Sequence, residues 1–279
     1  MQQPVYYPFS MAVNLNGRTL VNNPLVLENG TYRMDYDDLE KKASDPKNKI
    51  LILCSPHNPV GRVWKREELE RLAEICNRHK TLVISDEIHF DLLLPGTEHI
   101  VYSTISEEAA QNCCVCTAPS KTFNLAGMAV SNIITPNKEL REKLAAEFMK
   151  SAIFMVNNLG LKACELAYTR AEGWLDELLQ LLKTNHELIK AYCAKHIPKI
   201  TVFPLEGTYL QWLDFRAFGM DYQELERFMI NEAEWFLDEG AMFGEEGRGF
   251  ERVNIACPTA VLEEALDRLR RALQSRNLI

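Results

Sequence analysis

The 279-residue chain has no apolar run approaching the length that crosses a bilayer, about 20 residues. Its opening residues, MQQPVYYPF, lack both the basic start and the apolar stretch of a secretory signal. Positive charge is in the minority: 31 Lys and Arg stand against 39 Asp and Glu, for a net charge of −8. A nucleic-acid surface needs clustered basic residues, so the balance argues against that partner while leaving room for a local basic pocket. Metal-ligand spacing is missing too. The cysteines lie at 54, 76, 113, 114, 116, 164, 193 and 257, mostly inside apolar segments. Cys113, Cys114 and Cys116 cluster in one strand-like run, where alternation sends Cys113 and Cys114 to opposite faces, and no His or second pair completes a site. Reduced cysteines serving as small hydrophobes in a cytoplasmic protein are the expectation. Internal repeats and low-complexity linkers are absent.

What is present is an ordinary globular composition, 47% apolar and 25% charged, enough for one large domain or two modest ones. Strand and helix signals alternate through the first half. Residues 50–55 (ILILCS) form a continuous apolar run, as in a strand covered on both faces. A helical stripe of Leu69, Leu72, Ile75 and Cys76 follows within 65–80, then strand-like runs at 81–85, 113–118 and 129–135. A helix with Leu140, Leu144 and Phe148 on one face closes this half. That rhythm predicts an α/β fold with a mostly parallel sheet and right-handed crossovers. Residues 173–196 read as one long helix, followed by short strands at 201–203, 208–215 and 251–256 and a helix from about Thr259 carrying Leu262, Leu266, Leu269 and Leu273. The expected division is a large domain over 1–172 and, over 173–279, the linking helix with a smaller α+β domain.

In an open parallel sheet, ligands bind beyond the carboxyl ends of the strands. Three such ends here carry polar side chains: Asn58 after ILILCS, Asp86 after TLVIS, and Ser120 with Lys121 after CCVCTAP. Each has an ordinary reading as well. Asp86 suits a helix cap, Asn58 before proline suits a turn, Ser120 suits a turn or cap, and a single lysine after a strand is usually solvated. Together they suit pyridoxal phosphate. Its aldehyde needs a lysine amine, its pyridine nitrogen a carboxylate, its ring hydroxyl a donor such as an amide, and its phosphate hydroxyls and helix N-terminal N–H groups. In ERVNIA (251–256), Val253 and Ile255 define an apolar face; Arg252, Asn254 and Glu251 are assigned to the other. Arg252 is then either a carboxylate clamp or a surface arginine. The preceding FGEEGRGF does not fit G-x-G-x-x-G, and no nucleotide role is expected.

SPHNPVGRVW, VISDEIHFDLL, APSKTFNLAG, EGTYLQWLDF and GFERVNIACP resemble, in order along the whole chain, the fold-type I class I/II aminotransferase superfamily, and within it the cystathionine β-lyase-like branch. The resemblance implies a pyridoxal-phosphate-binding large domain and a smaller C-terminal domain. It also implies Lys121 as the Schiff-base lysine, Asp86 at the pyridine nitrogen, Asn58 at the ring oxygen, Ser120 at the phosphate and Arg252 at the substrate carboxylate. Tyr6 is similar to the aromatic that stacks on the cofactor ring, with Tyr7 leaving that register open. His89 joins the cofactor set where many aminotransferases carry tyrosine, and Ala129 stands where many carry arginine. Both differences are shared with the lyase-like branch. The family's N-terminal arm and phosphate-cradling loop precede the Tyr6 segment, so they are expected to lie outside this sequence. The expectation is a carbon–sulfur β-lyase acting on a small amino-acid substrate, as a homodimer without nucleic acid or membrane. An aminotransferase and a non-catalytic regulatory protein are the alternatives.

Overall fold

Short strands with alternating burial carry the polar residues in question. The computed structural model describes residues 1–153 and 155–279. First come α1 (Pro8–Leu15), a hairpin of β1 (Val26–Glu28) and β2 (Thr31–Arg33), and α2 (Tyr36–Ala43), whose cap Asp35 accepts the Asp38 N–H at 3.0 Å. The next run is β3 (Ile50–Cys54), α3 (Arg66–Arg78), β4 (Leu82–Asp86), α4 (Glu107–Gln111), β5 (Cys113–Thr117), α5 (Pro119–Thr122) and β6 (Asn132–Ile134). The strands pair in the order β3-β4-β5-β6, parallel except for antiparallel β6. This is the mostly parallel α/β sheet that the alternation predicts.

Then follow α6 (Lys138–Lys150), α7 (Asn158–Arg170) and α8 (Glu172–His196). A second sheet pairs β7 (Thr201–Val202), β8 (Leu210–Asp214), β10 (Phe250–Asn254) and β9 (Asp238–Glu239) in that order, all antiparallel, with α9 (Tyr222–Asn231) before β9 and α10 (Thr259–Ser275) last. Two strands begin well inside their apolar runs, β6 at Asn132 and β8 at Leu210. Left-handed backbone at Ala129 (φ 49°) and Thr208 (φ 75°) breaks the pairing before β6 and β8 begin.

Leu51, Leu53, Val83 and Val115 pack with Leu69, Leu72, Ile75 and Cys76 of α3 in one core, which Trp212 and Phe250 of the second sheet and Phe243 of the turn between β9 and β10 join. The other core joins Leu182 and Ile189 of α8 to Leu262, Leu266, Leu269 and Leu273 of α10, together with Leu92 and Leu94. Burial at about 2 kcal/mol per leucine exceeds what exposed ion pairs supply, so packing holds α10 in place. Both cores therefore draw side chains from both halves of the chain. Their seam is tight at Gly207, where a Cβ would lie 2.8 Å from Val63 Cγ2 and 3.2 Å from the Leu92 carbonyl. Beside it the Thr208 N–H donates to Leu92 O at 2.7 Å.

One assignment is corrected. Glu251 does not share the polar face of Arg252 and Asn254. Counting by two from Val253 puts it on the apolar face, and it is buried at 1% exposure.

Candidate active site

Register brings the strand ends together. Asp86, the last residue of β4, lies opposite Cys54 of β3 and Cys116 of β5. The Ser55 N–H donates to Asp86 O (3.0 Å) and the Glu87 N–H to Cys116 O (2.9 Å), so the three segments leave the sheet at one level. Asn58, Asp86 and Lys121 thus gather beyond the carboxyl edge.

Asp86 Oδ1 accepts the Ile88 N–H at 3.2 Å, which caps a turn rather than a helix and leaves Oδ2 for a donor from outside the chain. Burial pushes this carboxyl up to about 6, against the opposing pull of the Ile88 N–H and of the nearby Lys121 ammonium. Lys121 rides on the four-residue α5, partly exposed, near enough to Asp86 and His89 for its charge to act on both. Ser120 precedes it, partly buried. Its carbonyl accepts the Leu125 N–H at 3.0 Å.

His89 is buried beneath these groups, edge-on to Tyr209 at 5.5 Å. Burial, helped by the charges of Lys121 and Arg252, lowers its pKa to about 3, so the imidazole is neutral at physiological pH. Its Nδ1 has no partner. Tyr6 donates its N–H to Asn58 O (3.0 Å), and its phenol, whose pKa burial raises, sits in the field of Asp86 and Arg252. Tyr7 instead packs toward the core, edge-on to Phe243 at 6.2 Å. Among the two tyrosines, only Tyr6 faces the polar cluster.

Arg252 reaches this cluster from the second sheet. Its Nη1 donates to Asn58 Oδ1 at 2.8 Å, its Nη2 pairs with Asp238, and its Cζ stands 4.8 Å from the Phe243 ring centre. Nε is buried without a partner. Asp238 is the cross-strand register partner of Arg252 on β9, which sends both side chains to one face. The glycine-rich stretch before β10 serves packing: a Cβ at Gly240 would lie 1.9 Å from Gly247 O. Only glycine permits that crossing, which holds the loop carrying Phe243 against Arg252.

Sequence reasoning missed Tyr209, Phe243 and Asp238. Tyr209 lay inside a quoted motif without a role. Asp238 left no signal, because a two-residue strand has no readable period. Among the described residues no group of three or more His, Cys, Asp or Glu is arranged to hold a metal, and no helix is long and apolar enough to cross a membrane.

The donor set fits pyridoxal phosphate. A lysine amine beside the carboxylate, a carboxylate with one oxygen held and one open, and an amide whose Oδ1 is committed to Arg252 match the aldehyde, ring nitrogen and ring oxygen.

Comparison with known proteins agrees with this chemistry. The family model described as aminotransferase class I and II matches residues 1–269. Cystathionine beta-lyase PatB of Bacillus subtilis is 40% identical over 98% of this chain and 70% of its own length. Protein MalY of Escherichia coli is 34% identical over 98% of this chain and 69% of its own. The crystal structure of cystalysin from Treponema denticola, which contains a pyridoxal 5′-phosphate cofactor, superposes with a TM-score of 0.96 at 45% identity, covering 98% of this chain and 70% of that one.

Proposed function

Since the chain belongs to the class I and II aminotransferase family, we propose that it is a pyridoxal-phosphate-dependent carbon–sulfur β-lyase, cleaving cystathionine or a similar cysteine S-conjugate to a thiol, pyruvate and ammonia. The observation that carries this reading is the Arg252–Asn58 hydrogen bond, 2.8 Å across 194 residues of sequence. It sets a carboxylate anchor from one sheet against the ring-oxygen contact of the other. The curated relatives PatB and cystathionine beta-lyase of Corynebacterium glutamicum support the lyase over other chemistries of the fold.

When bound, pyridoxal phosphate supplies an electron sink for the pair left at Cα on loss of its proton. Asp86 presents Oδ2 to the ring nitrogen, the charged partner that its raised pKa calls for. Asn58, with Oδ1 taken by Arg252, offers its amide N–H to the ring oxygen. Ser120 offers its hydroxyl to the phosphate. Tyr6 and neutral His89 wall the pocket and exclude water. Arg252 holds the substrate carboxylate, orienting the Cα–H bond toward Lys121. Lys121 takes that proton as general base, and the thiolate departs from Cβ. Water then releases pyruvate and ammonia, so the atoms of substrate and water are all accounted for.

A homodimer is part of the proposal, supported by exposed apolar side chains such as Leu159 and Ile153, 71% and 64% exposed. So is a cytoplasmic site, in keeping with eight free cysteines. The test is pyruvate release from L-cystathionine by the wild type and by Lys121→Ala, with borohydride-stable mass on the Lys121 peptide after incubation with cofactor. Full pyruvate release by Lys121→Ala would sink the reading. Amino transfer to a keto acid faster than pyruvate release would decide for an aminotransferase.

A further inference from the structure

Arg252, the anchor in the reading above, already holds a carboxylate. Its Nη2 pairs with Asp238, directly opposite it in the β9–β10 register. Among the described residues Asp238 is the only acidic side chain in ion-pair contact with that guanidinium. The two partners differ in exposure: the Arg252 side chain is 11% exposed and that of Asp238 43%. The arginine is deep in the cleft and fixed between Asn58 and the Phe243 ring. The aspartate stands at the rim, where it can turn into water cheaply.

We propose that Asp238 is an intramolecular stand-in for the substrate carboxylate, a gate that binding must displace from Arg252. This rests on Arg252 being the anchor. Neutralising a buried guanidinium avoids a bare charge in the cleft when no substrate is present. It also weakens every incoming carboxylate, because each must exchange with one already seated. Weak monocarboxylates are excluded by this competition, whereas an amino acid that gains further contacts in the pocket succeeds. Asp238 thereby sets a threshold of affinity without touching the reacting atoms.

An orienting role would predict the reverse. If Asp238 served to aim the guanidinium, its loss would loosen the anchor and weaken carboxylate binding. The two roles are separated by sign.

The experiment titrates propionate, which has a carboxylate but no amine, into the full chain by calorimetry, with Asp238→Asn, Asp238→Ala and Arg252→Met alongside. Thermal unfolding confirms that each variant is folded. The expected result is about fivefold tighter propionate binding in both Asp238 variants, the scale of one partly exposed ion pair, and a fall in KM for L-cystathionine by the same factor. Unchanged or weaker binding in the Asp238 variants, with binding lost in Arg252→Met, overturns the gate and leaves the anchor standing. Propionate binding untouched by Arg252→Met overturns the anchor itself, and the gate with it. Should wild-type binding fall below detection, the Asp238 variants must reveal it, and their failure to do so also overturns the proposal.

Discussion

Asp86 and Glu87 are adjacent acids at the end of β4, and the pleat sends them to opposite sides of the sheet. Asp86 faces the cleft with one oxygen held by the Ile88 N–H and one unassigned, its pKa pushed up to about 6 by burial. Glu87 faces inward and is 1% exposed, yet it is saturated by Ser85 Oγ (2.9 Å), the Tyr102 N–H (2.9 Å) and His99 Nε2 (2.7 Å). One keeps an oxygen open toward the cleft, and the other is completed within the fold. The second sheet repeats the division. On β9–β10 the Asp238–Arg252 pair faces the cleft, while Glu239 opposes Glu251 on the other face. There burial comes first, and the neighbouring Glu226, Glu239 and Asp238 charges add to it, raising the Glu251 carboxyl to about 9. Parity thus decides which side of the sheet each of these acids faces, and its partners and burial follow from that side.

The contrast is broken most directly by substitution at Asp86. Asp86→Ala is expected to lower β-lyase turnover by about 10²–10³-fold, the loss associated with one aligned electrostatic contact, with the fold intact by circular dichroism. Glu87→Ala should do the opposite. Stripping three donors of a buried acceptor costs about 3 kcal/mol of stability, read as a lower urea midpoint, while the residual folded enzyme keeps its chemistry.

Protonation sharpens the same comparison. The Asp86 carboxyl loses its proton near 3.8 when unfolded and near 6 when folded, so its stabilising contribution is complete below pH 3.8 and is lost as pH rises through 6. Asp86→Asn removes that decline, worth about 3 kcal/mol for a shift of this size, in urea titrations from pH 4 to 7. Glu251 follows the same sign over a wider window, with stability falling from pH 4.5 and levelling above about 9. Glu251→Gln is therefore expected to unfold at a higher temperature than the wild type at pH 8 and to lose most of that advantage at pH 5. The smallest effect belongs to a site outside the comparison: Asp35→Ala at the α2 cap should cost about 1 kcal/mol and leave activity untouched.

Much of the large sheet was legible because its strands are apolar runs and its helices carry clean stripes. ILILC, LVISD and CCVCT sit where the alternation put them, and α3 and α10 bury the apolar stripes their periodicity singled out, whereas of the α8 stripe only Leu182 is buried and Leu175, Leu178 and Leu179 are half-buried. The polar strand ends were legible for a related reason: polar side chains just past apolar runs stand out. The short elements were not. Strands of two or three residues, such as β9 and the β1–β2 hairpin, have too few positions to show a period, and Glu251 was misassigned because a charged side chain outweighed simple parity.

The sequence by itself determined the order of strands and helices, the polar residues at the strand ends and the family to which their motifs belong, all of which depend on local pattern. Only the tertiary structure decided that Arg252 meets Asn58 across 194 residues, that it is already paired with Asp238, and that Glu251 is buried beside Glu239. Those facts depend on register between strands far apart in the chain. A one-residue slip leaves the local pattern intact, yet it carries every such side chain to the other face.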